Sequence, residues 1–223
     1  MTKTKKKNRN GRNPQRPAGA NSNISGEAKS RSPVALLLID LINDMEFEEG
    51  RQLFEHALLA ARKIVRLKER AGAAGVPVIY VNDNFGHWRS DLNVQIRHCI
   101  EDKVRGEPIA RMLKPSRSDY FVLKPKSSAF FDTTLQTLLQ YLEIKTLILT
   151  GVAADVCILY TAHDAHLRDY DIIVPRDCVA SNSHEETAAA LRNMEKSTHA
   201  SICDSSEIDF QRLAGRKPLS TAA

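Results

Sequence analysis

Short apolar runs alternate with amphipathic stretches along most of this chain. Six runs are brief: residues 34–39 (Val-Ala-Leu-Leu-Leu-Ile), 76–81 (Val-Pro-Val-Ile-Tyr-Val), 119–123, 146–150, 171–175 and 200–203. Hydrophobicity that is continuous over a few residues, where it would otherwise alternate, marks strands buried on both faces. Between the runs, apolar residues recur at helical spacing. Leu53, Ala57, Ala60, Ile64 and Leu67 form one face of a helix over 52–73, which Gly75 closes. Shorter helices are predicted over 133–142 with Asp132 as N-cap, from Val156 to His166, and over 185–196. Residues 41–50, 82–88 and 177–184 read as loops, and 90–118 as irregular chain with short helices that Pro108 and Pro115 interrupt. There is no internal repeat. The alternation of strand and helix predicts an α/β fold in three layers, a six-stranded parallel sheet with helices on both faces.

Residues 1–33 break this pattern. They hold nine Lys or Arg against the single Glu27, and Ile24 is their only large apolar residue after Met1. This tail carries a formal +8 of the chain's net +5, which leaves the other 190 residues at −3. The basicity therefore belongs to the tail, and a stretch so polar lacks the apolar surface to offset its ordering entropy. The expected organisation is a disordered basic tail over 1–33, one domain over 34–210 and a C-terminal tail over 211–223. The tail's composition fits a solvated extension better than a nucleic-acid arm, a nuclear signal or an anionic-surface anchor. No apolar segment of signal or membrane-spanning length follows the charges. Four cysteines at irregular spacing, with no CxxC pair, fit a reducing, cytoplasmic setting.

Chemistry gathers around Cys157. The run 146–150 stops at Gly151, and Cys157 falls in the first turn of the helix that follows. Unpaired N–H groups and the helix dipole at such a place favour a thiolate. Cys99, Cys178 and Cys203 follow no comparable strand, glycine and helix. Taken alone, a cysteine at a helix start is more often a small buried hydrophobe. Asp40 directly follows the first apolar run and Lys124 the third, where a charge commonly marks only the chain reaching water. Together the three form a coherent set, because parallel strand ends converge on one edge. A working thiolate needs a cation beside it and a group to take its proton.

These stretches resemble the isochorismatase-like cysteine hydrolases, the superfamily of nicotinamidases and N-carbamoylsarcosine amidase. Leu-Leu-Leu-Ile-Asp40-Leu-Ile-Asn-Asp44 resembles the opening strand and D-x-x-N-D. Lys124-Pro-Lys-Ser-Ser-Ala-Phe130 resembles the K-x-x-x-S-A-F segment, and Gly151-Val-Ala-Ala-Asp-Val-Cys157 resembles the G-V-A-T-x-x-C elbow. The likeness extends from about Val34 to Asp204. It implies a strand order 3-2-1-4-5-6, with Cys157 as nucleophile, Asp40 as general base and Lys124 as the cation that stabilises thiolate and oxyanion. It also implies a cis peptide between Val152 and Ala153, with an oxyanion hole formed by the N–H groups of Ala153 and Cys157. The implied activity is hydrolysis of a C–N bond in a small amide or ureide through a thioester, by a homodimer or homotetramer without a cofactor. The alternatives are an isochorismatase-type or other non-amide hydrolase, and a non-catalytic member acting through its basic tail as a binding module. Ala154 stands where the family usually has threonine and Ile42 where many members have glutamine. These departures leave the substrate unassigned. Asp83 and His87 lack the D-x-H spacing of a nicotinamidase metal site, so no metal is expected. Phe85, Trp88, Phe130 and Tyr160 are candidate substrate-pocket residues, with core packing the competing role for each.

Overall fold

The computed structural model describes residues 32–84 and 91–215. At its centre is β1 (Val34–Ile39), buried along its whole length. It lies between β2 (Val78–Asp83) and β4 (Thr146–Val152), parallel to both. Outward on one side comes β3 (Tyr120–Lys124), and on the other β5 (Asp171–Pro175) and β7 (Ser201–Cys203). The order β3-β2-β1-β4-β5-β7 is the order expected for the six predicted strands. A seventh strand, β6 (Val179–Ala180), adds to the carboxyl end of β4 within the stretch expected to be a loop. Two residues are too few to display a period, which is why the pattern did not mark it.

The pleat sorts β1 between two cores. Val34, Leu36 and Leu38 pack with α1 (Gly50–Ala73), α2 (Leu92–Glu101), α3 (Glu107–Met112) and α7 (Phe210–Ala214). Ala35, Leu37 and Ile39 pack with α4 (Leu135–Tyr141), α5 (Leu159–His166) and α6 (His184–Thr198). Each face of the sheet is thereby covered, as parallel sheets require.

Three local expectations are corrected. The helix predicted over 133–142 begins at Leu135, and Asp132 does not cap it but takes a left-handed φ of 50°. Thr133 supplies the polar group instead: its Oγ1 accepts from Leu135 N–H at 3.2 Å and donates to the Ala129 carbonyl at 2.6 Å. Pro108 does not interrupt a helix but sits in the first turn of α3, where its missing N–H is no loss. Packed chain also continues past 210, since Leu213, in the stretch expected as a tail, lies against the α1-side core. Of the basic tail expected over 1–33, residues 1–31 lie outside the described residues. No described helix is long and apolar enough to cross a membrane.

Candidate active site

Because the strands are parallel and in register, the carboxyl ends of β1, β2, β3 and β4 meet at one edge. Ile39 lies opposite both Val81 and Gly151, and Asp83 lies opposite Lys124. Asp40 leaves β1 with a left-handed φ of 54°, a conformation that aspartate tolerates better than most residues. Its N–H donates to the Val81 carbonyl at 2.9 Å, and its Oδ1 accepts from Asp83 N–H at 2.7 Å. Past Asp40 the chain folds on itself. Asn43 Oδ1 accepts from Met45 N–H, while the Ile42 carbonyl accepts from the side-chain amides of Asn82 and Gln95. A side chain at Gly106 would meet the Asn43 carbonyl oxygen at 1.8 Å, so α3 can approach this loop only with glycine there.

Lys124 ends β3 on the face shared with Val122, and its side chain is completely buried. Its Nζ lies 2.9 Å from Asp40 Oδ2, 3.2 Å from the Lys126 carbonyl, 3.4 Å from Asp83 Oδ2 and 3.5 Å from Cys157 Sγ. Asp40 and Cys157, the other two residues singled out, are thus both within hydrogen-bond reach of the Lys124 ammonium.

Cys157 differs in setting from its prediction. It lies in a single π-helical turn, Ala154–Ile158, from which α5 continues. Such wide turns are often found at functional sites. The Val152–Ala153 peptide that precedes it is cis, at the position expected. Gly151 has φ 120°, and any Cβ there would fall 2.0 Å from the Ile39 carbonyl oxygen. Buried Thr161 then ties the turn to the segment after Lys124, donating from Oγ1 to the Cys157 carbonyl at 2.6 Å and accepting Ala129 N–H at 3.0 Å. Ser128 Oγ donates to Asp164 Oδ2 at 2.5 Å, a second link between the same two pieces of chain.

Electrostatics correct the thiolate expectation. Burial and the Asp40 carboxylate outweigh Lys124 and push the Cys157 thiol up to about 12. Asp40 is also raised, because burial outweighs the attraction of Lys124. Burial alone would lower Lys124, but Asp40, Cys157 and Asp83 together hold it above the usual lysine range. At neutral pH the resting centre therefore holds Cys157 as a thiol beside the Lys124 ammonium, with the Asp40 carboxyl holding its proton more tightly than a free carboxyl does. A helix start alone cannot make a thiolate when a buried carboxylate stands next to it.

The pocket candidates divide. Phe85 and Trp88 lie outside the described residues, as does His87. Phe130 is core: it is buried, with the Arg168 guanidinium 4.8 Å from its ring and the Tyr170 ring 5.9 Å away. Tyr160 is exposed on α5. Asp83 also belongs to the cluster, although the apolar run of its strand stops at Val81 and does not mark it. The signal was available, because an acid at a strand end is also what marked Asp40.

The comparisons with known proteins agree with this fold. The isochorismatase domain family model matches residues 34–207. An uncharacterised isochorismatase family protein of Bacillus subtilis, YaaI, is 40% identical over 179 residues, covering 80% of this chain and 98% of its own. Maleamate amidohydrolase of Pseudomonas putida is 30% identical over 169 residues, covering 72% of this chain and 78% of its own. Among solved structures, N-carbamoylsarcosine amidase of Thermoplasma acidophilum superposes with a TM-score of 0.63 at 30% identity, over 79% of this chain and 98% of that one. With the family model spanning all the strands that converge on Lys124, this chain belongs to the isochorismatase family of hydrolases.

Proposed function

We propose that this protein is a cysteine amidohydrolase that cleaves a C–N bond in a small amide or ureide. The observation that carries the reading is the placement of Lys124 Nζ 2.9 Å from Asp40 Oδ2 and 3.5 Å from Cys157 Sγ. As Cys157 Sγ attacks the carbonyl carbon, its proton passes to Asp40, the C–S bond forms and the carbonyl π pair moves to oxygen. The N–H groups of Ala153 and Cys157 are assigned to that oxyanion. Collapse breaks the C–N bond, Asp40 gives its proton to the leaving nitrogen, and ammonia or an amine departs. Asp40 then takes a proton from water as the water attacks the thioester. The second collapse expels Cys157, which regains a proton from Asp40, and a carboxylic acid is released. A high resting thiol suits this sequence, because base and nucleophile exchange one proton within the buried centre.

Amidohydrolases among the relatives support the reaction class, and a sulfur nucleophile suits acyl transfer better than vinyl-ether hydrolysis. The test is ammonia release from a panel of primary amides and ureides by wild type and Cys157→Ala, with intact mass to trap an acyl adduct on Cys157. Release that stops in the variant, with an adduct in wild type, is the expected result. Undiminished release by Cys157→Ala, or turnover of a vinyl ether with none of any amide, would overturn the reading.

A further inference from the structure

We propose that Asp83 is a positioning residue of this centre, whose carboxylate keeps Lys124 charged while Asp40 holds the proton taken from Cys157. The inference rests on the triad reading above and adds a fourth member to it.

Asp83 touches both other charged residues. Its backbone N–H occupies Asp40 Oδ1 at 2.7 Å, leaving Oδ2 to face Lys124. Its own Oδ2 lies 3.4 Å from Lys124 Nζ. Among the described residues, the ionisable side chains set against that ammonium are Asp40, Asp83 and Cys157. While Asp40 holds the proton it is neutral, and the sulfur, a thiol at rest, is neutral because it is bonded to carbon. Asp83 is then the carboxylate left beside a lysine whose side chain is completely enclosed. A buried lysine without an anion loses its proton readily, by shifts of up to about 3–5 pH units. The two carboxylates also differ in solvation, with side chains 7% exposed for Asp40 and 32% for Asp83. The enclosed one suits proton exchange with the sulfur, and the wetter one stands outside that exchange.

The test needs no substrate: the rate of Cys157 alkylation by iodoacetamide at about pH 8, followed by peptide mapping that separates the four cysteines. Asp40→Asn mimics the protonated base. With Asp83 still holding Lys124 charged, Cys157 is expected to react faster than in wild type, because a repelling carboxylate has gone. Adding Asp83→Asn discharges Lys124, and the rate should fall back about tenfold or more, although one more negative charge has been removed. Asp40→Asn with Asp83→Glu should keep the fast rate. Asp40→Ser carries the same comparison where the amide variant does not fold. A double variant that reacts as fast as Asp40→Asn, or faster, would overturn the proposal, since that is how a mere like-charge neighbour behaves. Failure of the underlying triad looks different: Lys124→Met would then leave the Cys157 rate at its wild-type value.

Discussion

Replacing Lys124 by Met leaves the shape of the buried stem nearly intact and removes one charge. At 2.9 Å and an effective dielectric near 20, the attraction between Nζ and Asp40 Oδ2 is about 6 kcal/mol. Desolvation of the ammonium offsets much of this, so the pair itself contributes little net stability. The variant, however, leaves the buried Asp40 charge without its counter-ion, and breaking a buried pair in this way costs about 3–5 kcal/mol. The cost must depend on pH, and its sign follows from Asp40. Burial already raises its carboxyl, and loss of Lys124 raises it further. A carboxyl raised in the folded state binds its proton more tightly there than in the unfolded chain. Stability relative to wild type is then best at low pH and falls as pH rises toward the folded value, by about 1.4 kcal/mol per unit. Urea unfolding of both proteins at about pH 5 and pH 8 should show a deficit of roughly 1–2 kcal/mol at the lower pH and the full 3–5 kcal/mol at the higher. In a domain of this size the latter corresponds to a Tm lower by roughly 6–20 °C. An equal deficit at both pH values would refute the reasoning, because it would mean that Asp40 carries no stranded charge.

Three further outcomes are expected. Asp40→Asn should lower amide turnover about 10²–10⁴-fold, the usual worth of a general base, while relieving the buried carboxylate; a variant within a factor of a few of wild type would remove Asp40 from the reaction. Gly151→Ala puts a methyl group on the Ile39 carbonyl at a backbone angle that side chains avoid, so it should cost about 4 kcal/mol or more or abolish soluble protein. A melting curve within a few degrees of wild type would show that β1 and β4 can separate at that point. Thr161→Val removes the hydroxyl that joins Cys157 to Ala129, leaves the buried Ala129 N–H unpaired, and should cost about 1–3 kcal/mol by urea unfolding. A loss under about 0.5 kcal/mol would mean that the link is dispensable.

What could be read along the chain was whatever depends on near neighbours. The run Val34–Ile39 is buried on both faces, so its residues are all apolar and it declares itself a central strand without any partner in view. The spacing of Leu53 to Leu67 declares the helix α1 in the same way, and the three motifs place Asp40, Lys124 and Cys157 at strand ends. What the tertiary structure alone decided depends on distant neighbours. Asp83 joins the centre because β2 pairs with β3 in a register that sets it opposite Lys124, 41 residues away. Phe130, an aromatic in a site motif, turns into the core to meet Arg168 and Tyr170. The protonation of Cys157 is of the same kind. A local rule about helix starts predicts a thiolate. Enclosure beside the Asp40 carboxylate favours a thiol, because desolvation and a charge at contact distance outweigh a dipole. Periodicity is written into consecutive residues, whereas solvation is not a property of any residue until the fold has closed around it.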